Sequence, residues 1–240
     1  MQGFGQGAPQ PGAVWGAGES TRGAFLMKTY GLLLASVFAF LFFETLWFVT
    51  PVASTVLSLI GSAGRFGWLA VMLGLMAVHW GAQTVAATSQ SRSVQLAALG
   101  GFVLAESLVF IPLIAIAVTL MAEGDTWILP KALFFTVSLF GILTAIVFVS
   151  RKDFSFLRSA LIFGSIAAVI FGVVSIFAGF SVGTLFFWAM LVLAGGYILY
   201  DTSNILHRYS EEHYVLAALQ LFSSFTTLLW YVLRLLSRRR

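Results

Sequence analysis

Residues 159–200, SALIFGSIAAVIFGVVSIFAGFSVGTLFFWAMLVLAGGYILY, lie between Arg158 and Asp201 and carry no charged side chain. A helical bilayer crossing needs roughly 20 apolar residues, so this stretch is too long for one crossing and suits two. The small cluster at 179–183, GFSVG, supplies the turn between them. Lipid is therefore the solvent in which the chain folds. Any functional reading has to start from the few polar groups kept inside it.

Composition agrees along the rest of the chain. Hydrophobic residues make up 60% of the 240 and charged residues only 9%, against about 25% charged in a soluble domain. The length suits one compact all-α bundle rather than several domains. A net charge of +4 on 13 basic residues reports orientation and headgroup contact, not nucleic-acid binding. There are no cysteines, which excludes disulfides, thiolate metal sites and thiol catalysis.

Charge-free runs predict seven spans, at residues 25–48, 66–87, 94–122, 131–149, 156–178, 182–207 and 214–236. The apolar stretch 52–64 is too short to cross and reads as an interfacial or re-entrant connection. Residues 1–21, rich in Gly, Gln, Pro and Ala, are expected to form a disordered cytoplasmic tail, with 22–240 forming the membrane domain. The tail lacks the basic start of a cleavable signal, so the first span is expected to direct its own insertion.

With seven crossings, Arg22, Lys28, Arg92, Arg151, Lys152, Arg158 and Arg208 fall on the side of the N-terminus. Lys/Arg bias places that side in the cytoplasm. Arg234 and the basic residues at 238–240 then fall on the opposite side. Either the last segment dips in and returns, or the earlier loops outvote the tail.

Two spans have readable faces. Ala160, Gly164, Ala168 and Gly172 recur at every fourth position, a flat stripe suited to close helix packing in lipid. In the last span, Gln220, Ser223, Ser224, Thr227, Tyr231 and Arg234 share one face. A polar stripe cannot face hydrocarbon, so this span is expected to be enclosed by the others, with the stripe lining a pathway or a stack of interhelical hydrogen bonds. Four ionisable groups lie within spans. Glu44 is placed near the outer end of the first span, reaching the interface. His79 sits at mid-span, as a structural histidine or a proton relay. Glu106 precedes Pro112 by six residues, where a freed carbonyl could support a hydrated site. Asp201 lies toward the cytoplasmic end of its span.

Three motifs follow in order: Arg151-Lys152-Asp153-Phe154-Ser155, then Tyr200-Asp201-Thr202-Ser203-Asn204-Ile205, then Tyr214-Val215-Leu216-Ala217-Ala218-Leu219-Gln220-Leu221-Phe222. Their order and spacing, across 131–236, resemble the Bax inhibitor-1 (transmembrane Bax-inhibitor-motif) family. The resemblance implies a seven-helix bundle with the last helix near the centre. Members that act as pH-sensitive calcium leaks carry a second aspartate in the last helix, paired with the one in the helix before it. Ser224 stands there in this chain, so no carboxylate dyad forms.

The serine and the Tyr-Asp-Thr-Ser run are similar to the YccA-like bacterial branch. That branch is associated with modulation of the membrane-bound AAA protease FtsH in the cell inner membrane. Two functions are thus expected: a non-enzymatic protease modulator, and alternatively a Ca²⁺ or H⁺ leak gated at Asp201. Candidate pathway residues are Asp201, Ser224, Gln220, Ser223, Thr227, Glu106, His79 and Arg234. No cofactor, metal site or catalytic motif is expected, since no G-x-S-x-G, H-E-x-x-H or Gly-rich phosphate loop occurs.

Overall fold

The computed structural model describes residues 19–179 and 182–238. Among the described residues eight α-helices follow in order: α1 (Glu19–Val49), α2 (Val52–Ser62), α3 (Gly64–Thr88), α4 (Arg92–Ala122), α5 (Ile128–Ser150), α6 (Leu157–Ala178), α7 (Thr184–His207) and α8 (Tyr214–Leu236), with a 3-10 turn at Glu211–His213 leading into the last. All except α2 are long and apolar enough to cross a bilayer. The seven expected spans are all present, and the last carries the expected ends. Most of the expected tail lies outside the described residues, and its final three residues, 19–21, already belong to α1.

Backbone chemistry sets the breaks. Pro51 lacks an N–H and stops α1, whose final carbonyls are taken up by Thr50, backbone N–H to Leu46 (3.0 Å) and hydroxyl likewise (2.8 Å). α2 is the short connection, 11 residues with Ala53 turned inward. Its hydroxyls are hidden on its own backbone: Ser54 and Thr55 donate to the Pro51 carbonyl, and Ser58 to that of Thr55, all at 2.8 Å. Gly179, at φ +73°, ends α6 in the left-handed conformation that glycine adopts without penalty.

α8 is the axis of the bundle. It packs against α1, α4, α5 and α7, with α3 touching one side. Some 72% of its span is buried, against 6% for α6, which packs on α7 at the periphery. Around α8 the core is aromatic. Phe40 of α1 sits edge-on to Phe110 of α4 with centroids 4.9 Å apart, and Phe222 of α8 sits edge-on to Phe102 of α4 at 6.0 Å. Such pairs add about 0.5–1.5 kcal/mol each beyond area burial.

Lys28, Arg92 and Tyr214 meet at one end of the bundle, through the cations that approach the Tyr214 ring. At the other end Arg238 bonds to the Val182 carbonyl at the start of α7. α8 is therefore one unbroken crossing. A last segment that dips in and returns is ruled out, and the end of α8 lies on the face opposite the start of α1.

The small-residue stripe of α6 works as packing at Gly164. A Cβ there would lie 2.8 Å from a Leu193 methyl of α7, and one at Gly196 of α7 would lie 2.8 Å from a Leu161 methyl of α6. Gly67 is more constrained, because an added Cβ would stand 2.5 Å from the Ile60 backbone oxygen of α2. Gly67→Ala is expected to destabilise the protein by about 1–3 kcal/mol in detergent melts, since backbone has to move. Gly172→Ala, with open space around it, is expected to be neutral or slightly stabilising. Equal melting behaviour of the two variants would refute the close α2–α3 approach.

Candidate functional site

Asp201 is buried on α7, and Ser224 of α8 donates a hydrogen bond of 2.5 Å to its Oδ2. The expected juxtaposition of these two residues is therefore present. A buried acid in lipid needs a partner, a proton or water, and Ser224 supplies the first. Thr202, the next residue of the motif, turns toward Tyr30 of α1. The Tyr30, Thr202 and Thr144 hydroxyls converge there without a well-aligned hydrogen bond. Tyr200 is half-buried beside them in sequence.

The rest of the stripe divides among different neighbours. Ser223 faces α3, where its hydroxyl lies 3.3 Å from Nδ1 of His79, and His79 Nε2 lies 2.6 Å from the Gln83 amide. The ring also stands edge-on to Phe102 at 5.0 Å. Gln220 accepts a hydrogen bond from the Tyr209 hydroxyl. Burial, with the negative charge of Asp201 nearby, pushes the Tyr209 pKa up, which keeps that hydroxyl a donor. Thr227 is half-buried. Tyr231 and Arg234 sit farther along, where both approach the Phe187 ring of α7. At 1.5 Å per residue, Arg234 is about 15 Å along the axis from Ser224. It belongs to a different place from Asp201.

Thr226, off the stripe, is fully buried and within reach of the Glu106 carboxyl. Its hydroxyl donates to the Phe222 and Ser223 carbonyls, both at 3.1 Å. Glu106 itself is buried on α4, which runs unbroken through Pro112. Glu44 departs from expectation. It does not reach the interface but is 7% exposed, with both carboxyl oxygens buried and unbonded among the described residues. One turn farther along α1, the Trp47 indole donates to Ser107 of α4 (3.0 Å), which holds this part of α1 inward.

The first motif is a latch between loops. α5 ends on Arg151 in the left-handed conformation, φ 52°, and Lys152 follows. Asp153 then accepts the Ser155 N–H (2.9 Å) and the Ser203 hydroxyl (3.4 Å), and lies 3.8 Å from the Arg208 guanidinium. The Phe154 N–H donates to Ser203 in turn (2.9 Å). Asp153 thus ties the α5–α6 loop to the end of α7, two residues from Asp201. Partial burial raises the Asp153 pKa, but the Ser155 hydrogen bonds and the charges of Arg208 and His207 outweigh it and hold the pKa below 3.8.

Two surface cavities accompany these groups. One of about 370 Å³ between α3 and α4 is apolar, lined by Val78, Ala82, Gly101 and Phe102 among others. One of about 360 Å³ near the end of α8 includes Asp125 and Lys131, paired at 3.2 Å. Neither is lined by Asp201, Ser224 or Glu106. Among the described residues no group of three or more His, Cys, Asp or Glu side chains is arranged to hold a metal.

Two outcomes follow from this geometry. Ser224→Ala strands a buried carboxyl and is expected to cost about 1–3 kcal/mol of stability in detergent unfolding. Asp201→Asn keeps an acceptor for Ser224 and should cost less; the reverse order would deny the pair its structural role. Separately, a carboxylate with a depressed folded pKa contributes its stability above its unfolded value and loses it as pH falls through the folded one. Asp153→Asn is therefore expected to flatten the acid limb of a melting-temperature profile below about pH 4. An unchanged limb would remove the latch.

The chain matches the family described as "Inhibitor of apoptosis-promoting Bax1" over residues 22–240. It is 30% identical over 237 residues to Bax inhibitor 1 of Schizosaccharomyces pombe, with 91% of this chain and 77% of that protein covered. It is likewise 30% identical to the Golgi anti-apoptotic protein of Vaccinia virus (strain Lister), covering 93% and 89%, and to a BI1-like protein of Arabidopsis thaliana, covering 98% and 88%. The match reaches well before the three motifs and takes in α1 to α4 as well. With its seven spanning helices, the chain is a multi-pass membrane protein that belongs to the Bax inhibitor-1 family.

Proposed function

We propose that this protein is a non-enzymatic regulator embedded in the bilayer, acting by engaging another membrane protein. The partner class we favour is a membrane-bound AAA protease of the FtsH type, in membrane-protein quality control at a bacterial inner membrane. The observation that carries the reading is the enclosure of α8, whose Ser223, Ser224 and Gln220 are each engaged by a neighbouring side chain. A bundle tied together around its last helix resists being pulled apart, which suits a client that occupies a protease without being consumed. The names of the relatives, an inhibitor of Bax and an anti-apoptotic protein, support a regulatory role over a catalytic one.

Ser224, standing where leak-forming members carry an aspartate, supports the YccA-like branch. Lys28, Arg92, Arg151, Lys152 and Arg208 gather at the end of the bundle that holds the start of α1, which supports a cytoplasmic N-terminus. A protease on that side would grip residues 1–20 first.

Co-reconstitution with a membrane-bound AAA protease and a labelled client is expected to slow client degradation several-fold. Removing residues 1–20 should abolish the slowing while leaving the melt unchanged. Client degradation at the same rate with and without the protein would overturn the proposal. In liposomes the protein is expected to pass no more Ca²⁺ than empty vesicles at acidic or neutral pH. Flux that disappears in Asp201→Asn would replace this reading with an Asp201-gated leak.

A further inference from the structure

At the end of α8 two guanidinium groups share one aromatic ring. Arg234 lies 5.6 Å and Arg238 5.0 Å from the centroid of Phe187, itself buried near the start of α7. Arg238 donates one hydrogen bond, to the Val182 carbonyl at 2.9 Å. Arg234 makes no hydrogen bond and no ion pair among the described residues; its neighbours are the ring and the like charge of Arg238. Asp125 in the α4–α5 connection, which lines a cavity together with Leu236 and Ser237 at the end of α8, is held by Lys131 at 3.2 Å. Two more arginines follow in sequence at 239 and 240.

Two half-buried cations held together repel each other, and the repulsion grows as water is withdrawn. The ring offsets part of this through cation–π attraction, about 0.5–2 kcal/mol for each. It cannot supply a negative charge or accept the remaining guanidinium N–H groups. Each guanidinium has five N–H donors in a planar fork that matches phosphate oxygens. The surroundings indicate where such an anion would come from. Leu185 is 82% exposed and Trp188 50% exposed on the first turns of α7. They flank Phe187 in sequence, as expected where a span enters the headgroup region.

We propose that Arg234 and Arg238, braced on Phe187 and the Val182 carbonyl, form a binding site for the phosphate of an anionic lipid headgroup on the face opposite the start of α1. The site also accounts for basic residues on the face that Lys/Arg bias disfavours. They are neutralised by lipid phosphate there, and orientation is set by the more numerous cations of the other face. The inference does not depend on the protease reading.

The test compares the full chain in micelles supplemented with phosphatidylglycerol or with phosphatidylcholine, read by melting midpoint and by lipid retention in native mass spectrometry. Phosphatidylglycerol is expected to raise the midpoint and to be retained several-fold more. Arg234→Gln with Arg238→Gln should remove most of that preference. Lys28→Gln with Arg92→Gln, at the opposite face, should keep it. Equal loss in both double variants means general electrostatics and overturns the site, as does full retention in the α8 variant. Equal stabilisation by inorganic phosphate, without preference between lipids, overturns the lipid source. Should the α8 variant fail to fold, a photo-crosslinkable phosphatidylglycerol on the unaltered protein decides. Labelling of the α7 segment around Phe187 upholds the site, and labelling confined to the Lys28 face overturns it.

Discussion

The structure depends on one constraint: in hydrocarbon a polar group must find its partner within the protein. α8 meets it by being surrounded. Its neighbours approach from several directions, and each brings a complementary group, Asp201 from α7, His79 from α3, Glu106 from α4. The outer helices meet it differently. Thr136 of α5 and Ser175 of α6 turn their hydroxyls back onto carbonyls of their own helices, at 2.8 and 2.7 Å. A helix with few groups that need outside partners can sit at the periphery, as α6 does with Ser165 paired to Tyr197 of α7 at 2.9 Å. One whose carboxyl and hydroxyl groups need partners on other helices has to be at or near the centre.

That difference explains why the sequence told so much about the architecture and less about the site. Span limits follow from transfer energies of whole segments, and charge-free runs locate them to within a few residues; α8 runs from Tyr214 to Leu236 as its pattern indicates. The stripe on α8 does not map onto one neighbour. Choosing a polar face presumes an apolar medium on the other side, yet α8 has protein on almost all sides. Ser223 and Ser224, adjacent on the stripe, go to different helices, and Thr226 outside it reaches Glu106. Glu44 is buried rather than interfacial for a related reason. Its position seven residues before Pro51 suggested an interfacial end, but the packing of Trp47 onto Ser107 turns that stretch of α1 inward. Tyr30 and Tyr209 gave no signal at all, because their roles arise only when distant segments meet.

The two aspartates of the motifs illustrate how environment separates like residues. Asp153 stands outside the spans with Arg208, the Ser155 N–H and the Ser203 hydroxyl around it, which favours the ionised form. Asp201, two residues from Ser203 on the same helix, is buried with a single hydroxyl donor. A change in how the α5–α6 loop sits would be felt at Ser203 first and then along the turn of α7 that carries Asp201. The first motif therefore has a physical connection to the second, although they are separated by the whole of α6.

The two ends of α8 complete this logic with opposite chemistry. At its start Tyr214 is an aromatic post approached by Lys28 and Arg92, and the Glu212 carbonyl accepts from Arg92 at 2.5 Å. At its finish Phe187 plays the same part for Arg234 and Arg238. The Tyr214 post takes cations from α1 and α4, and the Phe187 post of α7 takes two from the end of α8. The first cluster lies beside Glu211 and Glu212 and has acidic neighbours within the protein. At the second, Asp125 of the nearby α4–α5 connection is paired with Lys131, and no acid among the described residues forms an ion pair with Arg234 or Arg238. α8 is tied at its start to α1 and α4 and at its finish to α7, and sliding along its axis would break both sets of contacts. The register that brings Ser224 to Asp201 is thus supported from both ends of the bundle.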